Sequence, residues 1–184
     1  MKWHKRIGIG GDDKCGVFAC LKLLKELPYL KAAFFVSEET GCHGSKKANE
    51  AFFANVGYGI QFDAPENWMI TEKCFGQILF DRDTEFFEKV DEILTEGMVN
   101  EDMRYMVHPY TDVYALRSKF DFACVNFSIG YYDYHTKNEY VCVEEVEAGI
   151  NIPDCRGPGA GESVGNRSPH RYSCSVAHHG AGYC

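Results

Sequence analysis

Short apolar runs alternate with amphipathic segments from about residue 5 to residue 150, and this alternation predicts an α/β protein with a mostly parallel, mixed sheet flanked by helices. Arg6 to Gly11 reads as a strand closing on a glycine turn. Behind it, Val17, Cys20, Leu21, Leu24 and Leu27 recur at helical spacing, and Pro28 ends that helix. The unbroken apolar run Ala32 to Val36 predicts a strand buried on both faces. A second helix is expected over Ser45 to Asn55, strands over Tyr58 to Phe62 and Gln77 to Phe80, and a helix over Thr84 to Gly97 with Gly97 as its stop. Asp121 to Ser128 and Tyr140 to Val143 complete the set of strands. Residues 151–184 differ in kind, holding six Gly and three Pro but only three residues from Leu, Ile, Val and Phe. That composition predicts a disordered tail behind a single folded unit of residues 1–150.

Composition narrows the class. With 45% hydrophobic and 25% charged residues the chain has enough apolar surface for a core. A net charge of −8 without a dense basic patch argues against nucleic-acid binding, because neutralising phosphates needs concentrated positive charge. No stretch approaches the roughly 18 apolar residues of a membrane span, and the basic N-terminus leads into no signal-type hydrophobic region. Neither a nucleic-acid nor a membrane partner is expected, and a cytoplasmic location is. The nine cysteines include no CxxC pair, so most are expected to be buried thiols rather than a disulfide framework or a zinc knuckle.

The chemistry lies just past the end of each predicted strand. Strand one runs into Asp12-Asp13-Lys14, the Ala32 to Val36 strand into Ser37-Glu38-Glu39, the Tyr58 to Phe62 strand into Asp63, and the Asp121 to Ser128 strand into a loop carrying His135. In an open parallel sheet the carboxyl ends of the strands share one rim, so groups more than a hundred residues apart can converge there. Carboxylates and an imidazole on such a rim suit Zn²⁺ or a similar divalent ion. Each group also has an ordinary structural role: Asp12 or Asp13 as a helix cap, Glu38 and Glu39 as a solvated strand end, Asp63 as a turn residue, His135 as an exposed loop histidine.

The segments GGDDKCG, SEETGCHGS, FDAP and NFSIGYYDYHTKNEY together resemble, in order and wording, the dinuclear zinc exopeptidases of peptidase T-like and aminopeptidase-like type. The resemblance runs from about Gly8 to Ile150. It implies a cis bond between Asp12 and Asp13, with Asp13 turned toward the helix start. It further implies that Asp12 bridges two zinc ions, Glu39 and His135 complete one site, Asp63 belongs to the other, and Glu38 is the general base. One or two Zn²⁺ and a small peptide substrate are likewise implied by it.

The pattern departs from the family at its start, where a His-x-Asp ligand segment is expected several tens of residues before the Asp-Asp turn. His4 lies roughly 26 Å from Asp12 along an extended chain at ~3.3 Å per residue, and His43 and His108 are the other candidates. The catalytic domain is therefore expected to be N-terminally incomplete. Zinc-dependent exopeptidase activity is the function implied. The alternative is a non-catalytic remnant that binds a partner chain, or a second copy of itself, to cover the incomplete sheet.

Overall fold

The computed structural model describes residues 8–27, 30–67, 69–97, 105–108, 111–151 and 171–178. The glycine turn runs directly into α1 (Gly11–Glu26), followed by β1 (Leu30–Val36), α2 (Glu50–Phe53), β2 (Val56–Ala64), β3 (Ile70–Cys74), β4 (Gln77–Ile78) and α3 (Glu85–Gly97). Then come β5 (Tyr105–His108), α4 (Asp112–Phe120), β6 (Ala123–Ser128), β7 (Tyr131–Tyr132), β8 (Tyr140–Val141), α5 (Val143–Asn151) and β9 (Arg171–His178). The main sheet has the order β1-β9-β2-β6-β3-β4, with β5 on β3, while β7 and β8 form a separate hairpin. β1, β9, β2 and β6 are mutually parallel, and β3 turns antiparallel to β6. This is the mixed, helix-flanked α/β sheet expected. Of the predicted first strand, Arg6 and Ile7 lie outside the described residues, while Gly8 to Gly10 form no strand and Gly11 already opens α1.

Several local expectations are corrected. The tail is not without structure: Arg171–His178 form β9, inserted between β1 and β2. Averaged over 34 residues the composition is that of disorder, but Tyr172, Cys174 and Val176 alternate with small or polar residues, a strand pattern only eight residues long. Among the described residues β1 is an edge strand of the main sheet rather than a strand buried on both faces, and Phe34 and Val36 are exposed. The helix expected over Ser45 to Asn55 is a 3-10 turn at Ser45–Lys47 and the single turn α2, because Asn49 Oδ1 accepts from the amides of Ala51 and Phe52 and caps a new start. β3, β5, α4, β7 and α5 add to the elements the pattern predicts.

The buried face of α1 is also not the predicted stripe. Cys15, Gly16, Ala19, Cys20 and Leu23 face the sheet, while Leu21 and Leu24 are exposed together with Phe18. Small residues decide this: a Cβ at Gly16 would lie 2.0 Å from the Phe62 carbonyl oxygen, so only glycine lets α1 come this close to β2. The opposite apolar stripe has the larger side chains but cannot approach as near. Cys15, Cys42, Cys74 and Cys124 are buried thiols, as expected, whereas Cys20 is disulfide-bonded.

Phe62, Phe80 and Ile70 are essentially inaccessible, and burying each contributes roughly 1.5–3 kcal/mol. A run of rings, Phe35 on β1, Phe53 on α2, then Phe120 and Phe122 around the end of α4, ties β1 to the centre of the sheet. Among the described residues no helix is long and apolar enough to cross a membrane.

Candidate metal centre

The carboxyl ends of β1, β2 and β6 lie on one rim because these strands are parallel, and the start of α1 reaches the same rim. Gly10 has φ +74, a left-handed conformation that turns the chain into α1, and Asp12 and Asp13 are non-helical inside its first turn. The Asp12–Asp13 peptide is cis, as the resemblance implies. Asp12 points into the site. Asp13 turns back over the helix start, where a Cβ at Gly16 would meet its Oδ1 at 2.4 Å.

His135 Nε2 lies 2.8 Å from Asp12 Oδ2 and 2.9 Å from Glu39 Oε1. The ligand atoms of these three residues all lie within 4.8 Å of one another. Asp12 comes from α1, Glu39 from the turn after β1, and His135 from the loop between β7 and β8, so the cluster exists only in the folded chain.

Glu38, one residue from Glu39, points the other way and is 4% exposed. The backbone explains the divergence: Ser37 has φ +60, and the Glu38 carbonyl accepts from both the Gly41 and the Cys42 amides, at 2.8 Å each, in a tight turn. Its Oε1 has no hydrogen-bond partner. Burial, then the charges of Glu39, Asp112 and Asp12, push its carboxyl up to about 8.

Asp63, near the end of β2, stands outside the set of three but inside the same field. Burial first, then Asp12, Glu38, Asp112 and Glu39, raise its carboxyl. Gln61 Nε2 donates to Asp63 Oδ2 at 2.9 Å, Thr111 Oγ1 and the Val113 amide donate to Gln61 Oε1, and Asn126 Nδ2 donates to Thr111 Oγ1 and to the Asp63 carbonyl. The Asp63 amide returns a bond to Asn126 Oδ1 at 2.9 Å. Asp112, wholly buried at the start of α4, accepts from Ser45 Oγ at 2.5 Å through Oδ1 and has no partner on Oδ2; burial pushes it up to about 6, partly offset by Ser45.

Gln61, Thr111, Asp112 and Asn126 belong to the site without standing out in the motifs. The signal available in the sequence is a polar residue inside a buried strand, Gln61 between Ile60 and Phe62, and Asn126 between Val125 and Phe127. Of the alternative histidines, His43 is exposed and outside the cluster, the His108 side chain is outside the described residues, and so is His4.

The donor set fits a divalent cation on the structure's own terms. Asp12, Asp13, Glu38, Glu39, Asp63 and Asp112 act on one another at one end of the sheet, and Asp13, Glu38 and Asp112 leave buried carboxylate oxygens unpartnered. Buried carboxylates without compensation are costly, and a cation would relieve them. Two carboxylates and an imidazole could offer a cation three protein ligands, the usual number for a zinc that keeps one position open.

The sheet and the rim define a helix-flanked α/β domain with a strand-end cluster. A solved structure shares this fold: PhTET1-12s, a dodecamer in the asymmetric unit of its crystal, matches with a TM-score of 0.51 and 22% identity over 78% of this chain and 47% of that one. At that identity the likeness is one of fold, and this chain spans about half the length of the solved chain. No protein-family model and no curated protein matches the sequence.

Proposed function

We propose that Asp12, Glu39 and His135 hold a divalent cation, zinc by the chemistry of the donor set, that Asp63 lies toward a second position, and that the chain hydrolyses small peptides from one end with Glu38 as general base. The observation that carries this reading is the His135 nitrogen shared between Asp12 and Glu39, with the unpartnered Oε1 of Glu38 close behind. When bound, the ion supplies a Lewis acid that polarises a peptide carbonyl and makes water more acidic. Glu38 takes the proton of the attacking water and returns it to the leaving amine, and a carboxyl pushed up toward neutral pH is suited to both transfers. The motif resemblance supplies the substrate class.

The test is Glu38→Gln in the zinc-loaded full chain, screened with amino-terminally and carboxy-terminally blocked peptides. Zinc stoichiometry is expected to stay at the parent value while turnover falls by about 10² to 10⁴. Equal turnover in the variant removes Glu38 as the base. A second reading, a non-catalytic chain whose surface is completed by a partner or a second copy, is favoured by the exposed apolar side chains Phe18, Leu21, Phe34 and Val36 on α1 and the edge strand β1. A folded chain that holds no zinc and elutes as an oligomer would select it.

A further inference from the structure

Between Asp133 and Tyr140 the loop joining β7 to β8 is exposed at every position but one, and that one is an acid: Glu139 is 7% exposed. Its carboxylate reaches across 127 residues of sequence to the glycine turn, where Oε1 accepts from the Asp12 amide at 3.0 Å and Oε2 from the Gly10 amide at 2.7 Å. The turn is shaped around it. A Cβ at Gly8 would lie 2.2 Å from Glu139 Oε2 and one at Gly11 would lie 3.3 Å from Oε1, so a carboxylate fits here only against glycines.

His135 stands four residues before Glu139 on the same loop. From the geometry we infer that Glu139 is a positioning residue: by gripping the backbone of Asp12, it fixes the loop that presents His135 against the turn that presents Asp12, and so sets the spacing of two of the three ligands. The inference rests on the metal-centre reading proposed above. Charge-assisted bonds to two amides give the loop a defined seat that exposed residues cannot provide, and partners behind a ligand typically alter metal affinity 10- to 100-fold. Glutamine at this position keeps the shape but offers one acceptor oxygen to two amides, so one of the two bonds is lost.

The experiment compares Glu139→Gln with the parent and with Lys137→Gln, an exposed control in the same loop. Two readouts are taken on full chains of equal thermal stability: hydrogen exchange of the Gly10 and Asp12 amides without metal, and calorimetric titration with Zn²⁺ alone. Glu139→Gln is expected to speed exchange at these amides at least tenfold and to weaken zinc by about 10- to 100-fold, with Lys137→Gln unchanged. Parent-like exchange, or parent-like zinc affinity, in Glu139→Gln overturns the inference. If the glutamine variant does not fold, Glu139→Asp, which keeps the charge but is one methylene too short to span both amides, takes its place with the same expectations. A parent chain that binds no zinc refutes the metal centre, and the exchange rates then decide the clamp alone: faster exchange in the variant keeps it, unchanged exchange removes it.

Discussion

Asp63 and His135 flank the same cluster but are held by different means. Asp63 is anchored in a buried network of neutral side chains, Gln61, Thr111 and Asn126, whose members also stitch β2 to β6 and to the start of α4. His135 stands 47% exposed on a loop between two short strands, paired with Asp12 and Glu39 and backed by a single buried acid. The first flank is part of the core, so disturbing it lowers folding stability. The second is an attachment to the core, so disturbing it alters the site and leaves the fold.

The largest effect should come from breaking the buried flank. Gln61→Leu is close in shape but leaves the Thr111 hydroxyl, the Val113 amide and the Asp63 carboxylate short of a partner, and should cost about 3 kcal/mol or more. Urea unfolding at constant m-value measures it, and a loss under about 1 kcal/mol would dissolve the contrast.

Next in size is the exposed flank. His135→Ala should change stability by no more than about 0.5 kcal/mol while weakening zinc by about 100-fold, near 2.7 kcal/mol. Dialysis followed by metal analysis reads the second number, and unchanged stoichiometry there would mean the ligands are misassigned.

Smallest per group and per unit of pH is the effect that sharpens the electrostatic side of the contrast. Glu38 is pushed from 4.5 to about 8 and Asp112 from 3.8 to about 6 in the folded chain. In the window above their ordinary values the unfolded chain has released protons that the folded chain still holds. Stability of the metal-free protein is therefore greatest at the acid end of that window and falls as pH rises, by at most about 1.4 kcal/mol per pH unit for each group, through about 6 for Asp112 and about 8 for Glu38. A divalent cation should flatten the slope. Melting curves from pH 5 to 8 with and without Zn²⁺ test this, and a metal-free melting temperature that rises with pH would contradict it.

The rim is legible in the sequence because its members sit at local landmarks: Glu38 and Glu39 follow β1 after Ser37, Asp63 is the penultimate residue of β2, and Asp12 succeeds a glycine turn. Local order is enough to place them on one edge once the sheet is read as parallel. The network behind Asp63 is not legible, because Gln61 meets Thr111 and Val113 some fifty residues away and no local pattern encodes that meeting. The face of α1 escapes the pattern for a different reason. Leu21 and Leu24 outweigh Gly16 and Ala19 on any hydrophobic scale, yet distance of approach decides the packing. The apolar run of β1 signals a central strand although it lies at the sheet edge, and β9 is hidden by the glycines and prolines around it.

The position of β9 has a consequence for how the chain is made. β1 and β2 are separated in the finished sheet by a strand that comes after β2 by just over a hundred residues. At about 5–20 residues per second, the two earlier strands leave the ribosome roughly 5–20 s before the segment that joins them exists. During that interval β1 has no parallel neighbour on the side β9 will occupy, and its Phe34-Phe35-Val36 run is an adhesive edge in a crowded cell. The yield of folded protein should then depend on what shelters this edge during synthesis as much as on the stability of the completed sheet.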